Sequence, residues 1–235
     1  MQTFNIDKFK IAAAVNGNDR ICYILYPFDI LDSWIAESAS RFGITIAVIT
    51  GMDWDNDLTP WKAKGVPSGS ADFKGLAPQF LSLLKEHLIP EIEKELNVSS
   101  GVERTLAGVS LSGLFTLWQW MECDLFKNII SLSGSFWYEG FLDWIKGIDV
   151  PPKTGRAYFL LGNKEALSAV PQFRDVRVNT DEIVKYLTAK GIRDIFEIVP
   201  GNHYQYAIPR LNRSFAWMFG PSRQKSFGPD ETPSK

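Results

Sequence analysis

Thr105-Leu106-Ala107-Gly108-Val109-Ser110-Leu111-Ser112-Gly113 decides how the rest of the chain is read. Thr105–Val109 is a short apolar run of strand type, and Leu111–Met121 is an apolar run of helical length. Only Ser110 separates them. A serine on such a strand-to-helix turn is held in a strained conformation that lifts its hydroxyl above the sheet edge, where it can act as a nucleophile. The turn needs tiny residues two places before and two after the serine, because strand and helix approach closely there. Gly108 meets the first need; Ser112 stands at the second, with Gly113 beside it. The competing reading is an ordinary helix start with Ser110 as its cap.

Outward from this turn, β-type runs alternate with helical periods, the pattern of an α/β fold with a mostly parallel central sheet and helices on both faces. The other strand candidates are Ile11–Val15, Ile21–Tyr26, Ile44–Thr50, Ile129–Leu132, Ala157–Leu161 and Ile195–Val199. Those after the first two are dense in Val, Ile, Leu and Ala, as strands buried on both faces are. Asn16-Gly17-Asn18-Asp19 is a tight-turn signal, so the first two are expected to pair as an antiparallel N-terminal hairpin. Helices are expected over Ile30–Arg41 and along the stripe Leu76, Phe80, Leu83, Leu84 and Leu88, interrupted by Pro90. Two more are expected from a Thr180 cap to Gly191, and along Ile208, Leu211, Phe215 and Met218. Residues 1–220 read as a single domain and 221–235 as a polar, disordered tail. The irregular stretch Gly51–Gly75 follows a parallel strand, so it should emerge at the carboxyl edge of the sheet, where such folds bind ligands.

A chain of 235 residues, 45% apolar and 22% charged, suits an enzyme with a substantial core. Its formal charge of −2, with Lys and Arg scattered, argues against nucleic acid or an anionic membrane as partner. Ile11–Val15 is far too short to cross a bilayer, and Met1–Lys10 lacks the blocks of a secretion signal, so a cytoplasmic location is expected. Cys22 and Cys123 lack metal-ligand spacing and read as apolar packing residues. A calcium loop begun at Asp53, with Asp55 and Asp57, would need Gly and Glu where Leu58 and Lys64 stand. No metal and no cofactor are expected. Aromatic residues reach 13%, with eight Trp, enough to line a pocket as well as to pack a core.

A serine hydroxyl needs a base to become a nucleophile, and the chain holds two histidines. His87 lies beside the apolar stripe of a helix and reads as a hydrogen-bonded structural residue. His203, in Pro200-Gly201-Asn202-His203, follows the last strand and precedes the last helix, where the sheet edge presents it to Ser110. An acid to orient it should lie between the two, in the order Ser, acid, His of α/β-hydrolases. Glu165 follows Ala157–Leu161 through Gly162-Asn163-Lys164 and is the first choice. Asp175 is the second, whereas Asp181 suits the first turn of a helix. An oxyanion hole needs two backbone N–H groups. Leu111 supplies one, and Phe28 or Asp29, in the loop after Ile21–Tyr26, the other.

Asp57-Leu58-Thr59-Pro60, Leu88-Ile89-Pro90-Glu91-Ile92, the run from Arg104 to Gly113, and Ser131-Leu132-Ser133-Gly134-Ser135-Phe136-Trp137 together resemble the putative-esterase family of α/β-hydrolases. That family includes enterochelin and ferric-siderophore esterases. Gly162-Asn163-Lys164-Glu165 and Pro200-Gly201-Asn202-His203 extend the resemblance over about Ile21 to Phe219. It implies a Ser110–His203 centre with an acidic residue at Glu165, a position some siderophore esterases leave weak or empty. Asn56 stands where many relatives carry Arg, and a slightly acidic chain suits an anionic ferric catecholate poorly. The expectation is a serine esterase cleaving a small-molecule ester of unspecified identity through an acyl-enzyme. Trp54, Trp61, Trp137 and Tyr138 are candidates for the substrate wall, with loop packing as their other reading. Acyl transfer to an alcohol or sugar, and ligand binding without catalysis, are the alternative functions. The oligomeric state is left open.

Overall fold

The computed structural model describes residues 1–99 and 101–221, so the tail expected after Pro221 lies outside the described residues. Eight strands form one sheet: β1 (Gln2–Ile6), β2 (Phe9–Ala14), β3 (Arg20–Leu25), β4 (Thr45–Thr50), β5 (Glu103–Val109), β6 (Asn128–Leu132), β7 (Arg156–Gly162) and β8 (Arg193–Val199). Their spatial order is β1-β2-β4-β3-β5-β6-β7-β8. From β4 to β8 in that order the pairs are parallel, with Leu25 opposite Gly108 and Val109 opposite Leu132. β1 and β2 are antiparallel additions at one edge.

The N-terminal hairpin is present, but its partners differ from those expected. β1 and β2 form it around Asp7-Lys8, with Ile6 opposite Phe9. The segment Ile11–Val15 pairs with β4, not with β3. Ile46, Ala47, Val48 and Ile49 of β4 are all buried, and a strand covered on both faces takes a neighbour on each edge. The turn Asn16-Gly17-Asn18-Asp19 therefore carries the chain past the end of β4. There the Thr45 hydroxyl donates to the Gly17 carbonyl at 2.8 Å.

Alternation along the strands divides the core in two. Cys22, Ile24, Ile46, Val48, Ala107, Ile130 and Tyr158 face α1 (Asp32–Phe42) and α7 (Ala207–Phe219). Tyr23, Ala47, Ile49, Leu106, Ile129 and Phe159 face α2 (Ala77–Leu83), α3 (Ile89–Glu95), α4 (Leu111–Glu122), α5 (Phe141–Gly147) and α6 (Val176–Ala189). Burial on both sides is why these strands read as unbroken apolar runs. Cys22 packs here as a free, fully buried residue, and burial pushes its thiol pKa up. A π-helical turn, Leu84–Leu88, joins α2 to α3 just before Pro90, the wider turn accommodating a residue with no backbone donor. Thr180 does not cap α6. The helix begins at Val176 after a 3₁₀ turn at Pro171–Asp175, and the Thr180 hydroxyl donates back to the Val176 carbonyl at 2.6 Å. Among the described residues no helix is long and apolar enough to cross a membrane.

The turn from β5 to α4 is where packing is tightest. A Cβ on Gly108 would lie 2.2 Å from the Ser112 carbonyl oxygen and 2.7 Å from the Thr116 hydroxyl, so strand and helix can meet only over glycine. Ser112, which replaces the second expected glycine, is fully buried. Its hydroxyl accepts the Val109 N–H at 2.7 Å and donates to the Leu25 carbonyl at 2.8 Å, tying β3 to the turn. Restoring glycine by Ser112→Gly should lower unfolding stability by about 1–3 kcal/mol, because the Val109 N–H loses its partner. Urea unfolding tests this, and stability equal to or above wild type would show the hydroxyl to be dispensable.

Candidate active site

The loops leaving the carboxyl ends of β5, β7 and β8 bring Ser110, Glu165 and His203 together. Ser110 Oγ lies 3.1 Å from His203 Nε2, and His203 Nδ1 lies 3.0 Å from Glu165 Oε2. Ser110 has φ 57° and ψ −122°, a conformation unfavourable for any side chain and held here by its surroundings. Its N–H donates to the Leu132 carbonyl at 3.0 Å, and its own carbonyl accepts the Ser135 N–H at 3.0 Å. The Ser135 hydroxyl lies 3.2 Å from Ser110 Oγ.

Glu165 is only 6% exposed. Besides His203, its carboxylate takes the Gly162 N–H at 2.6 Å, the Ser133 hydroxyl at 2.7 Å and Arg210 Nη1 at 3.0 Å. Burial pushes its pKa up, but His203 and the Ser133 and Gly162 donors outweigh burial and hold it below the usual carboxylate range. Arg210, 4% exposed on α7, also donates from Nη1 to the Ser133 hydroxyl at 2.7 Å and from Nη2 to the Asn202 carbonyl at 2.8 Å. Gly162 makes room for this arrangement: a Cβ there would lie 2.4 Å from Arg210 Nη2 and 2.9 Å from Glu165 Oε1.

The second-choice acid, Asp175, is exposed at the start of α6 and makes no hydrogen bond to His203. Leu111 opens α4 directly after Ser110. Phe28 and Asp29 follow β3 at the same sheet edge, and the Asp29 carboxylate pairs with Lys10 at 2.7 Å. His87 lies apart from the site, on the π-helical turn, with Nε2 3.0 Å from Asp7. In the aspartate-rich loop, Asp57 accepts the Asp53 N–H at 2.9 Å and Lys8 Nζ at 3.2 Å, while the Asn56 amide donates to the Asp53 carboxylate. Among the described residues no group of three His, Cys, Asp or Glu is placed to hold a metal ion.

A cleft of about 500 Å³ opens beside Ser110 and His203, walled by Trp137, Leu167, Val170, Phe173, Val176 and Tyr204. Of the four aromatic candidates only Trp137 lines it, with its ring centroid 4.6 Å from that of Phe173. Trp61 donates from Nε1 to the Glu139 carbonyl at 2.9 Å and packs on Phe141 and Trp144. Tyr138 is buried and donates to the Trp61 carbonyl, so this pair braces the Gly51–Gly75 loop against α5. Trp54 is half-buried against the same core.

The sequence alone points to no role for Ser133, Ser135, Arg210 or the cleft residues Leu167, Val170, Phe173 and Val176. Two signals were present: Ser133-Gly134-Ser135 directly follows a strand, and Arg210 sits beside the apolar stripe of the last helix, where a charge must be buried.

Residues 26–218 match the Putative esterase family. The uncharacterized protein YbbA of Bacillus subtilis strain 168 is 28% identical over 186 residues, spanning 75% of this chain and 74% of that protein. An IroE-like serine hydrolase from Shewanella oneidensis has a similar structure, with a TM-score of 0.73 at 20% identity, covering 90% of this chain and 75% of that one. The siderophore hydrolase EstB from Aspergillus nidulans gives a TM-score of 0.68 at 18% identity, covering 93% and 95%. With the match running from the end of β3 into α7, the chain belongs to the Putative esterase family, enzymes of the α/β-hydrolase fold.

Proposed function

We propose that the chain is a serine esterase that cleaves its substrate through an acyl-enzyme formed on Ser110. The observation carrying this reading is the unbroken hydrogen-bonded line from Ser110 Oγ through His203 to the buried Glu165 carboxylate. Ser110 Oγ bonds to the acyl carbon as its proton passes to His203 Nε2. The carbonyl electron pair moves onto oxygen, which takes hydrogen bonds from the N–H of Leu111 and of Phe28 or Asp29. Collapse of this intermediate expels the alcohol, which receives the proton from Nε2. Water then attacks the acyl carbon and gives its proton to Nε2. The second collapse returns that proton to Ser110 Oγ and frees the acid. Glu165 remains a carboxylate throughout, keeping the proton on Nδ1 in the resting ring and balancing the imidazolium as it forms.

The cleft walls favour an uncharged, mainly apolar acyl group. Leu167 and Tyr204 stand 77% and 89% exposed at its mouth, and such exposure of large apolar side chains is relieved by an apolar ligand. The fold is shared with a siderophore hydrolase. A ferric catecholate, however, would bring several negative charges to a cleft whose lining outside the buried Glu165 holds one charged side chain, Lys164.

A fluorophosphonate probe should label wild type, and both Ser110→Ala and His203→Ala should abolish labelling and lower ester turnover about 10³-fold or more. A folded wild type that fails to label would overturn the reading. Across p-nitrophenyl esters, Phe173→Ala should raise KM for a benzoyl ester about tenfold while leaving the acetyl ester nearly unchanged. Equal effects on both esters would remove Phe173 from the acyl wall.

Because the folded Glu165 carboxyl lies below its usual value of 4.5, its contribution to stability is complete above that pH and is lost as pH falls further. The stability difference between wild type and Glu165→Gln should therefore shrink as pH falls below about 4.5. Urea unfolding between pH 4.5 and 3 checks this, and a difference that grows over that interval would contradict it.

A further inference from the structure

We infer that Arg210 is a positioning residue for hydrolysis: its guanidinium holds the Glu165 carboxylate and clamps the loop that carries His203, and so fixes the acid and the base relative to each other. This inference rests on the Ser110–His203 reading above. The guanidinium reaches both parts of the machinery. Nη1 binds Glu165 Oε1 and the Ser133 hydroxyl, while Nη2 binds the carbonyl of Asn202, the residue directly before His203. One rigid planar group thus fixes the acid relative to the loop of the base.

The grip leaves the group little freedom. Arg210 is buried, and a Cβ on Gly162 would lie 2.4 Å from its Nη2, so the guanidinium is locked between the strand end that leads to Glu165 and the loop that leads to His203. A lysine there could bind Glu165 or the Asn202 carbonyl, but it could not hold both through two ends of one planar group.

Arg210→Lys keeps the cation but gives up the two-point grip, so kcat should fall about tenfold with KM nearly unchanged. The chain has two histidines, so NMR of ¹⁵N-histidine protein also reads the hydrogen bond from His203 Nδ1 to Glu165 directly, with His87 as an internal control. In Arg210→Lys and Arg210→Gln the low-field Nδ1–H resonance of His203 should weaken or move upfield while the His87 signals stay in place. An unmoved resonance in the folded variants, or a kcat of Arg210→Lys equal to wild type, overturns the inference. Where the Gln variant does not fold, Arg210→Lys decides alone. The resonance is readable whether or not esters are cleaved. A displaced resonance in a chain that hydrolyses no ester would sink the esterase reading and leave the positioning role of Arg210 standing.

Discussion

Glu165 carries a negative charge into a place that water scarcely reaches, and such a charge persists only where protein donors replace the water. The donors come from four parts of the chain: the Gly162 N–H at the end of β7, the Ser133 hydroxyl after β6, the His203 ring after β8 and the Arg210 guanidinium on α7. Satisfying one carboxylate therefore fixes three loops and a helix relative to one another. The Ser110–His203 distance is inherited from that arrangement, since His203 has no freedom to turn without giving up Glu165. Stability and geometry are coupled here: loss of any donor leaves a buried charge partly unpaired and also releases a piece of the site.

Ser110 is held by a second, separate set of constraints. Gly108 lets β5 meet α4, Ser112 ties the turn to β3, and the Ser135 N–H grips the Ser110 carbonyl. The two sets meet in Ser133-Gly134-Ser135. Ser133, itself at φ 50°, binds Glu165, and Ser135 grips Ser110 two residues later. Gly134 between them has no space for a side chain, because a Cβ would lie 2.5 Å from the Ser131 hydroxyl and 2.9 Å from the Phe136 ring. A three-residue turn after β6 is thus the mechanical link between the halves of the site.

What the sequence made legible follows from how local each signal is. The turn at Ser110 depends on residues within a few positions of it, and the segments carrying Glu165 and His203 could be placed because each directly follows an apolar strand. Arg210 is the opposite case: its place beside an apolar stripe hints at a buried charge, but its partners lie 45 and 77 residues away, and only the folded packing of α7 brings them together. The sequence points to the wrong hairpin partners because Asn16-Gly17-Asn18-Asp19 is the stronger turn signal, while Asp7-Lys8 makes the actual hairpin. Strand order is a long-range property that turn chemistry does not encode. The aromatic residues show a further limit. Trp61 and Trp137 look alike in sequence, yet one is anchored in loop packing and the other lines the cleft, a difference set by what surrounds each ring.

The division of labour along the chain bears on how the cleft can change its shape. Ser110 and His203 sit at strand ends that the sheet holds in register, whereas the cleft wall from Leu167 to Val176 is built on short 3₁₀ turns and the start of α6. Glu165 opens this wall but is anchored independently of it, by Gly162, Ser133 and Arg210. Substitutions at Val170 or Phe173 can therefore reshape the cleft without disturbing the donors that keep Glu165 charged. The anchored carboxylate is what permits a variable wall: it isolates the Ser110–His203 pair from the segment that shapes the cleft.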